Sequence, residues 1–397
     1  MRLAGFALAF IGIFSFPLAA QAHEISGTFD GFERPEYCGG CHKAIYDEWA
    51  ASMHSKSSPY SDPVHAAAYK AYSMRTSVSG QPAMKPGDGL AKPIDRPYFC
   101  GSCHTPTASN MTSLLSGRSG PDPSNRTDTD GVTCSFCHKV TGLNEGARFH
   151  TYKISSGIKG NEDLIANPGG APHQVIKSDF TASFKMCMGC HGKLVNSKGA
   201  VICSADLEGY SDCLPCHMPE AEGSPANGSA KKTHAWHGIA GGHDPDMLKK
   251  GAVLSLAKEM GRLLVLLKNP NPHFFPTANP MRMAYVKVEF LDGAGKVLYA
   301  NFNSDPSEDP KCMLMKVFYS GGKKGVPAWE AEGVASDTRL TDNEERTLVY
   351  LVPKEAVLAR AVLYYRLISP RMLESLRLKP DGQLEKPQVV SSAELKL

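Results

Sequence analysis

The alternation of apolar and polar positions divides the 397-residue chain into two unlike parts. After about residue 246, short runs of β-branched and aromatic residues recur between turn residues. Val286, Val288 and Phe290 alternate with Lys287 and Glu289, which is the pattern of a strand with one buried face. The predicted strands cover 252–257, 262–268, 283–291, 296–301, 313–319, 347–352 and 361–367. Short strands in such a series predict an antiparallel β-sandwich over residues 246–397.

Residues 23–245 show little periodic pattern, because Gly, Pro and Ser interrupt most of it. A chain this poor in continuous apolar pattern does not bury enough surface to fold by itself. The exception is the stretch 42–54, in which Ile45, Trp49 and Met53 recur every fourth residue and predict an amphipathic helix. The chain is therefore predicted to be α+β, with short helices and loops before residue 246 and a β-sandwich after it.

Residues 1–22 have the composition of a secretory signal peptide. Arg2 precedes an apolar stretch over 3–18, and the small residues Ala20 and Ala22 mark a cleavage site. The apolar stretch is short for a membrane span, and no later segment offers about 20 uncharged residues. We therefore expect export to the periplasm or the cell surface, a mature chain that begins at His23, and at most peripheral contact with a membrane.

Ten of the twelve cysteines fall in five C-x-x-C-H strings, numbered 1 to 5 in chain order. They are Cys38 to Cys41 with His42, Cys100 to Cys103 with His104, Cys134 to Cys137 with His138, Cys187 to Cys190 with His191, and Cys213 to Cys216 with His217. Two thiols at this spacing can bind the two vinyl groups of one haem, and the next imidazole ligates its iron. A zinc site would need further ligands, and a redox dithiol does not explain the histidine. The strings predict five covalently bound haem c groups, with residues 23–245 wrapped around them.

The second axial ligand decides what each haem can do, because saturated iron suits electron transfer and an open position suits binding of small molecules. Nine histidines lie outside the strings, which is enough to supply a second ligand to every iron. A helix after His42 would carry His54 about 18 Å away, so His54 is predicted to ligate a neighbouring haem. Sequence position also makes candidates of His150, His173, His237 and His243. It leaves His65, His234 and His273 open.

Three residues carry alternatives that the sequence leaves open. After cleavage, His23 could chelate copper or reach a haem in another subunit, but a disordered terminal residue is the favoured interpretation. Cys203 and Cys312 lie outside the strings and are either a disulfide or two buried thiols. An oxidising compartment favours the disulfide. No nucleophile with a paired base stands out, so no catalytic residue is assigned.

The net charge of the chain does not indicate a nucleic-acid partner. The formal net charge of +3 is small, and two propionates on each haem outweigh the single positive charge of a ferric porphyrin core. The charge therefore gives no reason to expect a nucleic-acid partner.

The strings and their surroundings resemble the cytochrome c554-type multihaem family. The resemblance rests on Trp49 and Met53-His54 after string 1, on Phe99 before string 2, and on the residues Gly131-Val-Thr that lead into string 3. The tracts His237 to Asp244 and Asn271 to Thr277, followed by strands, are similar to relatives in which a β-sandwich follows the haem domain. The resemblance implies closely packed haems in a periplasmic redox chain, and His54, His237 and His273 as ligands. The family's tetrahaem members have one string fewer than this chain.

Three functions follow from these observations. The favoured one is an electron carrier between redox proteins, from a quinol-oxidising cytochrome towards a terminal reductase. The second is a multihaem reductase of nitrite, hydroxylamine or a sulfur oxyanion with one open iron. The third is a subunit of an extracellular cytochrome assembly. The oligomeric state is not fixed by the sequence.

Overall fold

The computed structural model describes residues 23–25, 31–73, 98–116, 118–160, 173, 175–207 and 212–397, so the predicted signal peptide lies outside the described residues. Its helices are α1 (Pro35–Gly39), α2 (Lys43–Ala51), α3 (Pro63–Ser73), α4 (Gly101–His104), α5 (Met111–Leu115), α6 (Arg126–Thr129), α7 (Cys134–Lys139), α8 (Lys185–His191), α9 (Leu214–His217), α10 (Pro245–Lys249), α11 (Pro370–Ser375) and α12 (Gly382–Glu385). Within the described ranges, no helix has the length and apolarity to cross a membrane.

The strands of the first part are short. They are β1 (Glu24–Ile25), β2 (Val140–Asn144), β3 (Thr151–Ile154), β4 (Ile158–Gly160), β5 (Val175–Lys177), β6 (Lys193–Val195), β7 (Val201–Ser204), β8 (Glu220–Glu222) and β9 (Thr233–Ala235). Each pairs with only one or two neighbours. Helices and strands together confirm the α+β class.

The C-terminal part forms two antiparallel sheets on one core. Its strands are β10 (Val253–Glu259), β11 (Arg262–Lys268), β12 (Met283–Leu291), β13 (Val297–Ala300), β14 (Met313–Ser320), β15 (Lys323–Lys324), β16 (Gly333–Asp337), β17 (Glu345–Leu351), β18 (Leu358–Arg366) and β19 (Gln388–Lys396). One sheet has the order β10-β11-β17 and the other β15-β14-β12-β18-β19, with β13 beside β12 and β16 beside β14. Val265 and Val288 lie in the shared core, and both are fully buried. The predicted strands therefore face each other across an apolar interior.

Each C-x-x-C-H string adopts a helical turn. In strings 1, 2 and 5, the histidine N–H donates to the carbonyl of the first cysteine, four residues earlier, at 2.9 to 3.0 Å. Strings 3 and 4 lie within α7 and α8. The Thr133 hydroxyl caps α7 by accepting from the Phe136 N–H. A helical turn places the two thiols and the imidazole of a string on neighbouring positions of one surface.

A charged cluster joins the string-bearing part to the second sheet. The Arg339 guanidinium donates to Asp206 and, through two nitrogens, to Asp337 at 2.7 and 2.8 Å. Lys316 Nζ lies 3.6 Å from Asp206. Nearby, the Thr277 hydroxyl donates to the Ala205 carbonyl at 2.6 Å. The arginine is almost fully buried and makes the shortest contacts to both carboxylates, whereas Lys316 lies further from each of them.

The substitution Arg339→Met is expected to destabilise the haem-loaded protein by about 3–5 kcal/mol, because it leaves two carboxylates without their main partner at a buried contact. Urea unfolding followed by circular dichroism measures this. The control is Arg360→Gln, which removes an exposed pair with Glu394 and is expected to cost about 0–1 kcal/mol. Equal losses in the two variants would contradict a special role for Arg339.

The two remaining cysteines are free thiols, which corrects the expected disulfide. Cys203 lies in β7, and its thiol contacts the Ala278 carbonyl at 3.4 Å. Cys312 is fully buried and contacts the Pro306 carbonyl at 3.7 Å. Burial raises the pKa of Cys203 to about 11 and that of Cys312 to about 12, so both remain protonated at neutral pH.

Candidate haem sites

Contacts between cysteines bring the five strings together in two groups. The thiol of Cys38 is hydrogen-bonded to that of Cys134, which joins strings 1 and 3. In the same way Cys103 bonds to Cys190, and Cys187 to Cys213. These atoms stand in for the thioether sulfurs of attached haems. String 4 therefore contacts both string 2 and string 5.

Tyr152 completes the connection between the two groups of strings. Its hydroxyl donates to the Met186 carbonyl at the start of α8 and lies 3.8 Å from Cys190 Sγ. Its ring makes an edge contact with Phe136 of string 3, with ring centres 5.5 Å apart. Burial and the neighbouring thiols of Cys190, Cys103 and Cys137 raise the pKa of Tyr152, so the hydroxyl stays protonated. Strings 2, 3 and 4 thus meet around one buried tyrosine.

Four string histidines each face a histidine from outside the strings. The ring centres are 6.4 Å apart for His42 and His173, 6.2 Å for His191 and His54, 6.4 Å for His138 and His237, and 6.4 Å for His217 and His273. His54 follows α2 and faces the histidine of string 4 rather than that of string 1, which directly precedes it in the chain. The rings of His54 and His191 are nearly perpendicular at 79°, whereas the other three pairs lie at 19° to 35°.

This separation fits two imidazoles on opposite sides of one iron. A metal–imidazole bond is about 2 Å long and the ring centre lies roughly 1 Å behind the bonded nitrogen, so two such rings are about 6 Å apart. Direct stacking of two rings at van der Waals contact would bring them closer. In each of the four pairs, the distance between ring centres leaves room for one iron between the two rings.

Hydrogen bonds fix which nitrogen of each ring is available. Nδ1 of His42, His138 and His217 donates to the carbonyls of Pro225, Lys159 and Ala240 at 2.6, 2.7 and 2.6 Å. On the facing side, Nδ1 of His237 and His273 donates to the carbonyls of Ala235 and Phe274. A ring that donates through Nδ1 carries its lone pair on Nε2, the tautomer a metal ligand needs. Within the described residues, Nε2 of these five rings makes no hydrogen bond.

String 2 differs from the other four. The ring centre of His65 lies only 4.1 Å from that of His104, too close for an iron between the two rings. Nδ1 of both rings donates to the Ser57 carbonyl, and Nε2 of His65 is hydrogen-bonded to the Tyr98 hydroxyl at 2.8 Å. Both nitrogens of His65 are therefore engaged by the protein, and this ring is not placed to ligate the iron of string 2.

Two predicted ligands are not brought to a string histidine. Nδ1 of His150 accepts from the Gly146 N–H at 3.3 Å, and Nδ1 of His243 lies 3.2 Å from the Gln383 amide oxygen. Across the residues that the structure describes, neither ring contacts a string imidazole, and four of the five string imidazoles already face another ring. His150 and His243 are therefore omitted from the ligand set proposed below.

His234 has a positioning role instead. Its Nδ1 donates to the Gly223 carbonyl and its Nε2 to Glu48, both at 2.9 Å. Burial lowers its pKa, but these two bonds outweigh burial and raise it overall. The second oxygen of Glu48 accepts from the backbone N–H of His237 at 2.8 Å. Glu48 and His234 thus hold the segment that carries His237, an arrangement the sequence did not reveal.

His23 is ordered, which corrects the expectation of a disordered residue. Its Nε2 donates to the Ser102 carbonyl at 2.9 Å, and its Nδ1 accepts from the Tyr152 N–H at 3.1 Å. The ring also lies 5.3 Å from that of Phe136. Burial lowers the pKa of His23 to about 4, against the effect of the Ser102 bond, so the ring is neutral. With both nitrogens occupied, the imidazole is unavailable for the copper chelation or haem ligation considered above.

Comparisons with known proteins give one family match and one similar structure over most of the chain. Residues 37–139 match the family model described as cytochrome c554 and c-prime. The crystal structure of a penta-heme cytochrome c552 from Thermochromatium tepidum aligns with 91% of this chain and 98% of that chain, with a TM-score of 0.73 and 26% identity. These two matches support a multihaem c-type cytochrome family for this chain. They also support haem c as its cofactor and electron transfer as its function.

Two further structures are similar only over a small region. A hypothetical protein from Pyrococcus horikoshii OT3 and an oxidised superoxide reductase each cover 37% of this cytochrome and 86% of their own chains, at 10% identity. Their TM-scores of 0.16 and 0.17 carry no structural argument. A search of curated proteins returned no match.

Proposed function

We propose that this cytochrome is an exported pentahaem electron carrier in which four irons are each held by two histidines. The four histidine pairs at 6.2 to 6.4 Å carry the proposal. On this basis we propose His42 with His173 for string 1, His138 with His237 for string 3, His191 with His54 for string 4, and His217 with His273 for string 5. The fifth haem binds string 2 through Cys100, Cys103 and His104. The similar structure from Thermochromatium tepidum is named as a penta-heme protein, which supports the count.

The contacts between strings suggest the route of the electrons. Haem supplies an iron that changes oxidation state by one electron, and the protein holds neighbouring haems close. Thiol contacts and Tyr152 connect the strings in the order 1, 3, 4, 5, and string 2 joins at string 4. Cys41 and Cys216 are exposed, so strings 1 and 5 reach the surface at the two ends of this route. We propose these ends as docking points for redox proteins, a quinol-oxidising cytochrome on one side and a terminal reductase on the other.

String 2 supports a second candidate function. His65 is engaged by Ser57 and Tyr98, and no other histidine contacts His104 from an opposite position in the described part of the chain. An iron bound by His104 alone would keep one position for a small molecule, as reductases of nitrite or hydroxylamine require. A small pocket lined by Tyr69, Tyr98 and Arg148 borders Cys100. The second candidate is therefore a reductase that receives electrons through string 4.

Electron paramagnetic resonance of the oxidised protein, with and without cyanide or nitrite, tests both candidates. Three low-spin irons should give ordinary rhombic signals, because their ligand rings are close to parallel. The His54–His191 iron should give one highly anisotropic low-spin signal, because perpendicular rings leave two iron d orbitals close in energy. The string 2 iron should be high-spin and should shift with the added molecule. A fifth unresponsive low-spin iron would refute the reductase, and several responsive irons would refute the four histidine pairs.

A further inference from the structure

A buried tyrosine hydroxyl lies without a partner beside string 5. Tyr365 is in β18 and only 2% exposed, and its hydroxyl oxygen makes no hydrogen bond to any residue that the structure describes. A buried hydroxyl left unpaired loses its hydrogen bonds to water without replacement, so such a group indicates a missing partner. Burial raises the pKa of Tyr365, and Arg282 opposes this shift. The hydroxyl is therefore protonated at neutral pH and available as a donor.

Arg282 and Gly242 converge on the same point. A side chain at Gly242 would place Cβ 2.2 Å from the Tyr365 oxygen and 3.2 Å from Arg282 Cζ, so the backbone of Gly242 closes one side of the site. Arg282 Nη1 donates to the Thr277 carbonyl at 3.0 Å. Among the described residues, this arginine has no ion pair. Its remaining donors and the tyrosine hydroxyl form a set suited to a carboxylate, which a guanidinium binds with two parallel hydrogen bonds.

Two segments that contact or carry the string 5 histidines border this site. The Ala240 carbonyl, two residues before Gly242, accepts from Nδ1 of His217 at 2.6 Å. On the other side, the ring of Phe275, two residues after His273, packs against that of Tyr365 with centres 6.3 Å apart. The site therefore lies between the segment that accepts a hydrogen bond from His217 and the segment that carries His273, at the contact with the second sheet.

We propose that Arg282 and the Tyr365 hydroxyl bind one propionate carboxylate of the haem attached to Cys213 and Cys216. This rests on the proposed haem at string 5 and names its anchor in the sandwich. The carboxylate would neutralise Arg282, satisfy the buried hydroxyl and connect the haem to β18. A free small anion has similar chemistry, but a tethered propionate has an effective concentration that a dissolved anion lacks.

The test is a redox titration of the haem-loaded Arg282→Gln, Arg282→Lys and Tyr365→Phe proteins, with Arg360→Gln as control. Removing a positive charge beside a haem favours its oxidised state. One midpoint potential should therefore fall in Arg282→Gln, fall less in Tyr365→Phe and Arg282→Lys, and stay unchanged in the control. The low-spin signal assigned to His217 and His273 should be the one that moves.

Three outcomes would overturn the proposal. Unchanged potentials in Arg282→Gln and Tyr365→Phe would exclude the propionate contact. A wild-type midpoint that depends on added sulfate or nitrite, with the dependence lost in Arg282→Gln, would assign the site to a free anion. A changed midpoint potential of a haem other than that of string 5 would show that Arg282 contacts that other haem instead. Haem content from mass spectrometry and pyridine haemochrome tests the count independently, because fewer than five haems would contradict the proposed function itself.

Discussion

A chain produced without haem attachment is expected to keep its two C-terminal sheets while the strings and the loops between them lose their structure. The reason is the uneven distribution of the apolar interior. Leu263, Val286 and Leu363 belong to one large buried cluster shared by the two C-terminal sheets. Around the strings the clusters are small, such as Val132 and Phe136 with their few neighbours. In the proposed holoprotein, the porphyrins supply the interior that these side chains do not.

Hydrogen exchange followed by mass spectrometry measures this. Replacing all ten string cysteines with Ser should accelerate exchange in α7 and α8 by about a thousandfold or more, because protection there falls from the global stability towards zero. Protection in β11, β12 and β18 should persist. The haem-loaded protein is the reference. Protection of α7 and α8 equal to that reference would show that the first part folds without haem and would contradict the explanation.

The substitution His237→Ala is expected to convert one low-spin iron to high-spin, and His273→Ala to convert a different one. Among the described residues, each is the one imidazole that faces its string partner across a gap of 6.4 Å, His138 or His217. Loss of an axial nitrogen also changes the reduction potential of that haem, with a shift on the order of 0.1 V within the range of about 0.8 V that axial ligands span. Electron paramagnetic resonance and a redox titration measure the two effects.

The matched controls are His150→Ala and His243→Ala. Both histidines have the residue type and the loop context of a ligand, yet neither contacts a string imidazole in the described structure. Their substitution should leave all low-spin signals in place. A high-spin iron in either control would restore that histidine to the ligand set and would identify the missing partner of string 2.

The sheets were largely predictable because each strand carries its own pattern. The predicted 262–268 and 283–291 coincide with β11 and β12. The strand β19 was missed, since Ser391, Ser392 and Glu394 give it little apolar alternation. Its extended state comes from pairing with β18, where Ala361 lies opposite Ala393. A strand that forms mainly by pairing with a neighbouring strand shows little alternation of apolar and polar residues in its own sequence.

The candidate haem sites also contain one part that the sequence predicts and one part that it does not. The strings were recognisable because two cysteines and a histidine lie within five residues. The facing histidines were not separable by sequence, since His150 and His173 both occur in loops near a string. What distinguishes them is a contact between distant segments, such as that of His173 with His42. The hydrogen bond from His234 to Glu48 likewise joins residues that are 186 positions apart in the sequence. It occupies Nε2 of His234, so this histidine is not a candidate haem ligand.

The order of the histidine pairs along the chain has a consequence for biosynthesis. His173 lies beyond strings 2 and 3, so the haem proposed at string 1 would wait for its second ligand until both of these strings have been synthesised. His54, by contrast, would be present long before string 4 is synthesised. A porphyrin held only by axial bonds could dissociate or pair with the wrong imidazole during that interval. Thioether bonds to the two cysteines of a string would keep each haem at that string while the distant second histidine is still being synthesised. Covalent attachment would then have a role before the protein has folded.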